Sequence, residues 1–283
     1  MRDKIIKIFK QAQREKRAIG QFNFSTISQF RGIVAAAKKL GQPIILGTSE
    51  GESSFLGFKT AVALRDIARE NYKLDVILNL DHGKSFEYIK EAIKSGYDMV
   101  HFDGSSLSLK ENIKETKRVV SFAKKRGVLV EGELGYIKGS STFHQEKIEI
   151  TQEEMTSPED AKEFIDKTKV DFLAVAIGNA HGIYKEMPSL DQERLFMIKN
   201  RVSQRAFLVL HGGSGIQKKE IKKAIENGIV KININTETRI AWREGLEKAL
   251  KKIKEVTPYK ILSIPEKEVE RVVKEKIILF LNK

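Results

Sequence analysis

Short runs of apolar and β-branched residues recur along the chain, separated by segments whose apolar positions follow a helical period. Eight runs stand out: QFNF (21–24), PIILGTS (43–49), DVILNLD (75–81), DMVHFD (98–103), VLVEGELG (128–135), FLAVAIG (172–178), FLVLHGG (207–213) and IVKININT (229–236). Near-continuous apolarity suits strands covered on both faces, as in a parallel sheet. The segments between them carry helix punctuation. SFEYIKEAIKSG (85–96) begins with Ser85 as a cap, places Glu87 in its first turn and stops at Gly96. SPEDAKEFIDKTK (157–169) opens on Ser-Pro and acidic residues, a favourable helix start. Strand and helix alternating eight times predict an α/β fold closed into a (β/α)8 TIM barrel rather than an open doubly wound sheet. An extra N-terminal helix is expected before the first strand, and a C-terminal helical extension, PEKEVERVVKEKIILFL (265–281), after the last. No Pro-, Ser- or Gly-rich linker divides the 283 residues, so a single domain over 1–283 is expected.

Composition narrows the picture. With 41% hydrophobic and 31% charged residues, the chain can bury a core and is not of the disordered class. There is no cysteine, so disulfides and thiolate metal sites are excluded, and any metal must be held by His, Asp or Glu. The opening MRDKIIKIFKQAQREK is charged throughout and lacks the apolar run of a signal peptide. No stretch approaches the roughly 20 apolar residues of a membrane span. A cytoplasmic protein without a membrane partner is expected. The net charge of +13 raises the question of nucleic acid. However, the lysines are dispersed over helical segments such as KKEIKKAIENG (218–228) and EKALKKIKE (247–255), with no Arg-rich arm or aromatic RNA-binding motif. A solvated lysine surface that attracts small anions fits better than a nucleic-acid partner.

Barrel enzymes build their sites at the C-terminal ends of the strands. Here those ends read Asp81-His82-Gly83, Asp103-Gly104-Ser105, Glu131 and Glu133, His181-Gly182, His211-Gly212-Gly213, and Asn233, Asn235 and Thr236. A lone histidine is usually structural or solvated. Three at the strand ends of one barrel, His82, His181 and His211, match a catalytic zinc site with an open position. His101, inside the fourth strand, and His144, in the loop after the fifth, fit less well. The Gly-rich turn HGGSGI (211–216) precedes a helix near Gln217 and suits an anion, as backbone N–H groups and the helix dipole favour negative charge there.

The motifs LNLDHG (78–83), HFDGSS (101–106), EGELG (131–135), AVAIGNAHGIYK (174–185), LVLHGGSGI (208–216) and KININTETR (231–239), in this order, resemble the class II fructose-bisphosphate and tagatose-bisphosphate aldolases. The resemblance runs from about Ile5 to Ala249. It implies reversible aldol cleavage of a ketose 1,6-bisphosphate with Zn²⁺ on His82, His181 and His211. Glu133 would serve an alternative metal position and Asp103 would support it. Asp81 would donate the proton to the aldehyde carbonyl. Gly182, Lys185, Gly212, Ser214, Asn233 and Thr236 would surround the phosphate of the dihydroxyacetone half, while Asn23 and Asn235 hold the sugar backbone. A monovalent cation, Na⁺ or K⁺, beside the phosphate loops and a homodimer or homotetramer are also implied.

Asn235 in KININTE favours fructose 1,6-bisphosphate, whereas GNAHGIYK leans toward tagatose 1,6-bisphosphate. One departure matters. The family places acids in the mobile loop after strand five, one of which moves the proton on the dihydroxyacetone carbon. This chain reads YIKGSSTFHQE (136–146), with Ser140 and Ser141 in those places. His144 and Glu146 are the candidate replacements, Glu146 preferred because zinc attracts a carboxylate and repels an imidazolium. Gly47 stands where many relatives have a polar residue. Two alternatives remain open: a related lyase acting on another phosphorylated carbonyl compound, and a non-catalytic phosphosugar-binding barrel.

Overall fold

The computed structural model describes residues 1–203, 205–252 and 254–282. Its strands are β1 (Ile19–Asn23), β2 (Ile44–Ser49), β3 (Val76–Gly83), β4 (Met99–Phe102), β5 (Leu129–Leu134), β6 (Gly139–His144), β7 (Phe172–Val175), β8 (His181–Tyr184), β9 (Phe207–Leu210) and β10 (Ile229–Ile234). Its helices are α1 (Arg2–Arg14), α2 (Ile27–Leu40), α3 (Glu50–Leu56), α4 (Phe58–Tyr72), α5 (Phe86–Ser95), α6 (Leu109–Lys124), α7 (Pro158–Thr168), α8 (Gln192–Val202), α9 (Lys218–Glu226), α10 (Thr236–Lys252) and α11 (Pro258–Phe280). Eight strands close in the order β1-β10-β9-β7-β5-β4-β3-β2, each paired parallel to its neighbours. The predicted (β/α)8 barrel, with its extra N-terminal helix and C-terminal extension, is the observed architecture.

The period-two alternation of the strands sorts the residues. Phe22, Leu46, Leu78, Val100, Val130, Leu173 and Leu208 face the helices and form the larger apolar cluster. Ile19, Ile45, Ile77, Met99, Leu129, Phe172 and Phe207 form a second cluster with Ile5, Phe9 and Ala12 of α1, which closes the N-terminal end of the barrel. Phe9 meets Phe172 edge-on at 4.7 Å between ring centroids, an arrangement worth about 0.5–1.5 kcal/mol beyond its buried area. One alternation further up, the inward set becomes polar: Gln21, Asn79, His101, Glu131 and Lys231 are all fully buried. Another step up come Asn23, Asp81, Glu133 and Asn233, also buried. Above the sealed apolar floor, the polar residues that point into the barrel thus gather toward its open, C-terminal end.

Local chemistry explains the boundaries. Ser85 accepts the Tyr88 N–H to cap α5, which ends at Gly96 in the left-handed region. Ser157 caps α7 with Pro158 next to it. Each such cap stabilises its helix by about 1 kcal/mol. The C-terminal helix begins earlier than predicted, at Pro258, and runs through Pro265. The stretch after strand five differs more. Instead of a free loop, β6 pairs parallel with β8 as a small separate sheet at the mouth. Among the described residues no helix is long and apolar enough to cross a membrane.

Candidate metal centre and active site

The β3–β4 register shifts between Leu80 and Gly83. There His82 takes φ 51°, a left-handed conformation costing a non-glycine residue about 1–3 kcal/mol. The bend carries the His82 ring into the mouth. Its partners assign its tautomer: His82 Nδ1 donates to Asp103 Oδ2 at 2.9 Å, leaving a lone pair on Nε2. His211, just past β9, is oriented the same way by Glu131, whose Oε1 accepts from Nε2 at 2.6 Å. His211 Nδ1 therefore also offers a lone pair, and it lies 3.0 Å from His82 Nε2. Two facing lone pairs at that distance call for a cation between them. Tetrahedral zinc with bonds of about 2.0–2.1 Å separates its ligand nitrogens by about 3.3 Å. His181 stands beside the pair, its ring centroid 4.8 Å from that of His82 and 6.2 Å from that of His211, while the donor atoms that lie within 4.8 Å of one another are those of Asp81, His82, His101 and His211.

The charges agree with a cation site. Burial works against an imidazolium at His82, yet Asp81, Asp103 and Glu133 outweigh it and raise His82 to about 10. Burial and the His82 charge push His181 down to about 3 and hold His211 well below the ordinary imidazole range. One positive charge is thus favoured at the cluster and a second is not. The field that stabilises a proton on His82 serves a metal ion equally. Burial raises the Glu133 carboxyl. Asp103 is held low, because hydrogen bonds and charge from its neighbours, His82 foremost, overcome its burial. Lys231, fully buried, ion-pairs with Glu131 at 2.8 Å and donates to Asn233 Oδ1 at 2.8 Å. It thereby holds Glu131 in place beside His211, the carboxylate–imidazole arrangement that fixes metal ligands.

A second network centres on Asp81. Asn23 Nδ2 donates to Asp81 Oδ2 at 2.9 Å, and Asn233 Nδ2 donates to Asp81 Oδ1 at 3.0 Å. Burial opposes the charge on Asp81, but His82, His211 and Lys231 keep its carboxyl well below the usual carboxylate range. Asn23 also donates to Glu52 Oε2 at 2.9 Å. The same oxygen accepts the Ser49 N–H at 2.8 Å in the capping box of α3. Gly47 is needed here: a Cβ would lie 2.1 Å from Asn23 Oδ1. The departure at Gly47 thus makes room for the side chain that orients Asp81.

Two adjoining cavities, about 440 and 100 Å³, share His82, His181 and Ser141. The larger is walled by Asp103, Glu133, Tyr136, Ser140 and Ser141 among others. The smaller contains Asp81, Gly182, His211, Gly212, Ser214, Asn233, Asn235, Thr236 and Arg239. Most of the predicted substrate-binding set therefore lies on one wall, and Asn23 stands directly behind Asp81. Lys185 does not join it: the residue is exposed and lines neither cavity. Nor do the two loop candidates. His144 stacks on Tyr184 at 4.3 Å and 7°, its Nε2 3.0 Å from the Ser140 carbonyl. Glu146 is exposed.

Several residues that carry the site were not assigned a role from sequence. His101 stands at its centre, 4.7 Å from His82 and 4.8 Å from His211 between ring centroids. Lys231 and Glu131 lie one alternation below assigned residues, so the period of two was the available signal. Glu52 and Arg239, paired at 2.6 Å, belong to α3 and α10, and no strand pattern reveals helix residues turned toward a barrel mouth.

Known proteins give the arrangement a context. The family model described as fructose-bisphosphate aldolase class-II matches residues 3–283. The fructose-bisphosphate aldolase of Staphylococcus aureus (strain Mu50) is 38% identical over 264 residues, covering 92% of this chain and 90% of the relative. A sulfofructosephosphate aldolase of Alkalicoccus urumqiensis is 36% identical over 239 residues, covering 84% and 82%. The crystal structure of the YdjI aldolase from Escherichia coli K12 superposes with a TM-score of 0.83 at 31% identity, covering 98% of this chain and 96% of the other.

Proposed function

The chain belongs to the class II fructose-bisphosphate aldolase family, and from that premise we propose that it cleaves a ketose 1,6-bisphosphate reversibly to dihydroxyacetone phosphate and glyceraldehyde 3-phosphate. Membership makes it an aldolase, a metal-dependent aldehyde-lyase. We take fructose 1,6-bisphosphate ahead of tagatose 1,6-bisphosphate and zinc as the metal. The observation that carries this reading is the facing of His82 Nε2 and His211 Nδ1, 3.0 Å apart, with His181 beside them. His82, His181 and His211 would hold the zinc, which would supply a Lewis acid for the negative charge that cleavage leaves on the three-carbon fragment.

The remaining steps belong to side chains. Asp81, kept ionised and held by Asn23 and Asn233, takes the proton of the hydroxyl that becomes the aldehyde, and returns it in condensation. Gly182, Gly212, Ser214, Asn233 and Thr236 enclose the phosphate of the dihydroxyacetone half, at the N-terminus of α10 where the helix dipole favours an anion. Gly212 has φ 62°, and a Cβ there would sit 2.1 Å from the Ala180 carbonyl oxygen, so the turn closes onto the His181 segment only with glycine. Asn235 holds the sugar backbone. Lys185 and Glu146 reach the substrate when the 136–149 segment and the β6–β8 sheet close over it, Glu146 or His144 then carrying the proton at the carbon next to the ketone. A Na⁺ or K⁺ ion beside the phosphate turns, a homodimer or homotetramer, one domain over the whole chain and a cytoplasmic location complete the proposal.

A second reading is favoured by one observation. Arg239 lines the smaller cavity, and its charge suits a sulfonate as well as a phosphate. A relative is named a sulfofructosephosphate aldolase. A ketose 1-phosphate ending in a group other than phosphate is therefore the alternative substrate. Cleavage assays with fructose 1,6-bisphosphate, tagatose 1,6-bisphosphate and a sulfonate-ended ketose 1-phosphate decide between them. Turnover of none of the three would refute both.

A further inference from the structure

We propose that His101 is a positioning residue of the metal centre, spanning the backbone of His82 and the carboxylate of Glu133 and setting where that carboxylate meets the metal. The proposal rests on the metal-dependent reading above. His101 is fully buried on β4. Its Nδ1 accepts the backbone N–H of His82 at 3.1 Å, where the chain turns left-handed. A ring nitrogen that accepts an amide hydrogen bond uses its lone pair, so the proton of the neutral imidazole resides on Nε2.

That tautomer has two consequences. His101 cannot ligate a metal through Nε2 without losing a second proton, although one of its ring nitrogens lies in the same cluster as the donor atoms of Asp81, His82 and His211. And Nε2–H becomes a donor aimed into the centre. It lies 3.3 Å from Glu133 Oε2, and neither atom has a well-aligned hydrogen bond among the described residues. A buried donor and a buried carboxylate oxygen left facing each other are each other's partner, since leaving both unmet costs more than a small rotation of either. Glu133 Oε2 is in turn 3.9 Å from His82 Nδ1 and 3.9 Å from His211 Nδ1. His101 therefore holds both arms of the centre: the strained turn that delivers His82, and the acid that borders the metal position.

The test is zinc affinity, by competition with a chromophoric chelator at fixed pH, together with the visible absorption of the cobalt(II)-substituted protein. His101→Met keeps bulk but loses donor and acceptor, and should weaken zinc binding about 10- to 100-fold, the usual effect of removing a hydrogen-bond partner from a metal centre, and shift the cobalt bands. His101→Gln offers both an acceptor and a donor and should recover most of the loss. In a Glu133→Gln background, His101→Met should produce a smaller loss than it does alone. Wild-type affinity and an unshifted cobalt spectrum in His101→Met would overturn the proposal, as would an undiminished loss in the Glu133→Gln background. Should His101→Met fail to fold, the cobalt spectrum of His101→Gln decides, wild-type bands supporting the role and shifted bands refuting it. A wild-type protein that binds no zinc would instead overturn the metal-dependent reading itself.

Discussion

His82 Nε2 and His211 Nδ1 meet at 3.0 Å in the barrel mouth, while Asp103 and Glu131 occupy their outer ring N–H groups. The metal-free cluster resolves that contact by holding a proton on His82, raised to about 10. At pH 7 a metal must displace this proton, because the pH lies below that value. Zinc binding should release about one proton, and affinity should rise about tenfold per pH unit until the pH passes that value. Calorimetry in buffers of different ionisation enthalpy measures the release directly. Binding without proton release would contradict the proton placed on His82 in the metal-free cluster.

Arg239 lines the smaller cavity and is paired with Glu52, whereas Lys185 is exposed outside it. Arg239→Met should raise the KM for the bisphosphate about 10-fold, equivalent to about 1.4 kcal/mol. Lys185→Ala should have a comparable effect only if the β6–β8 sheet closes during turnover. Steady-state kinetics on both variants separate the possibilities, and an unchanged KM in Arg239→Met would remove Arg239 from the substrate site.

Proton transfer at the carbon beside the ketone is the step the serines at 140 and 141 leave open. The measurement is exchange of the dihydroxyacetone phosphate proton with solvent deuterium, followed by NMR without any aldehyde present. Glu146→Ala should slow exchange by at least about 100-fold with zinc content unchanged. If Glu146→Ala and His144→Ala both exchange at the wild-type rate, the segment supplies no base. The carboxylates in the larger cavity, Asp103 and Glu133, would then be the ones to vary.

Much of this was legible before the structure, for physical reasons. Strands buried on both faces must be apolar nearly throughout, so the eight runs declared a parallel barrel, and polar residues at their ends had one mouth to converge on. The reading weakened where function departs from period. His101 looks like a core residue because it occupies an inward strand position, and only the tautomer imposed by the His82 amide shows its role. Glu52 completes the capping box of α3, and the same oxygen meets Asn23. The segment after strand five has no apolar alternation, since β6 pairs at the surface with β8 rather than within the core.

The central claim is that a metal held at His82, His181 and His211 enables aldol cleavage. Its most direct test is the rate of fructose 1,6-bisphosphate cleavage by protein stripped with EDTA and then titrated with zinc. Loss of cleavage on stripping and recovery at one equivalent of zinc per chain is the predicted result. Full activity in the metal-free protein, or a borohydride-trapped Schiff base between substrate and a lysine, would contradict it.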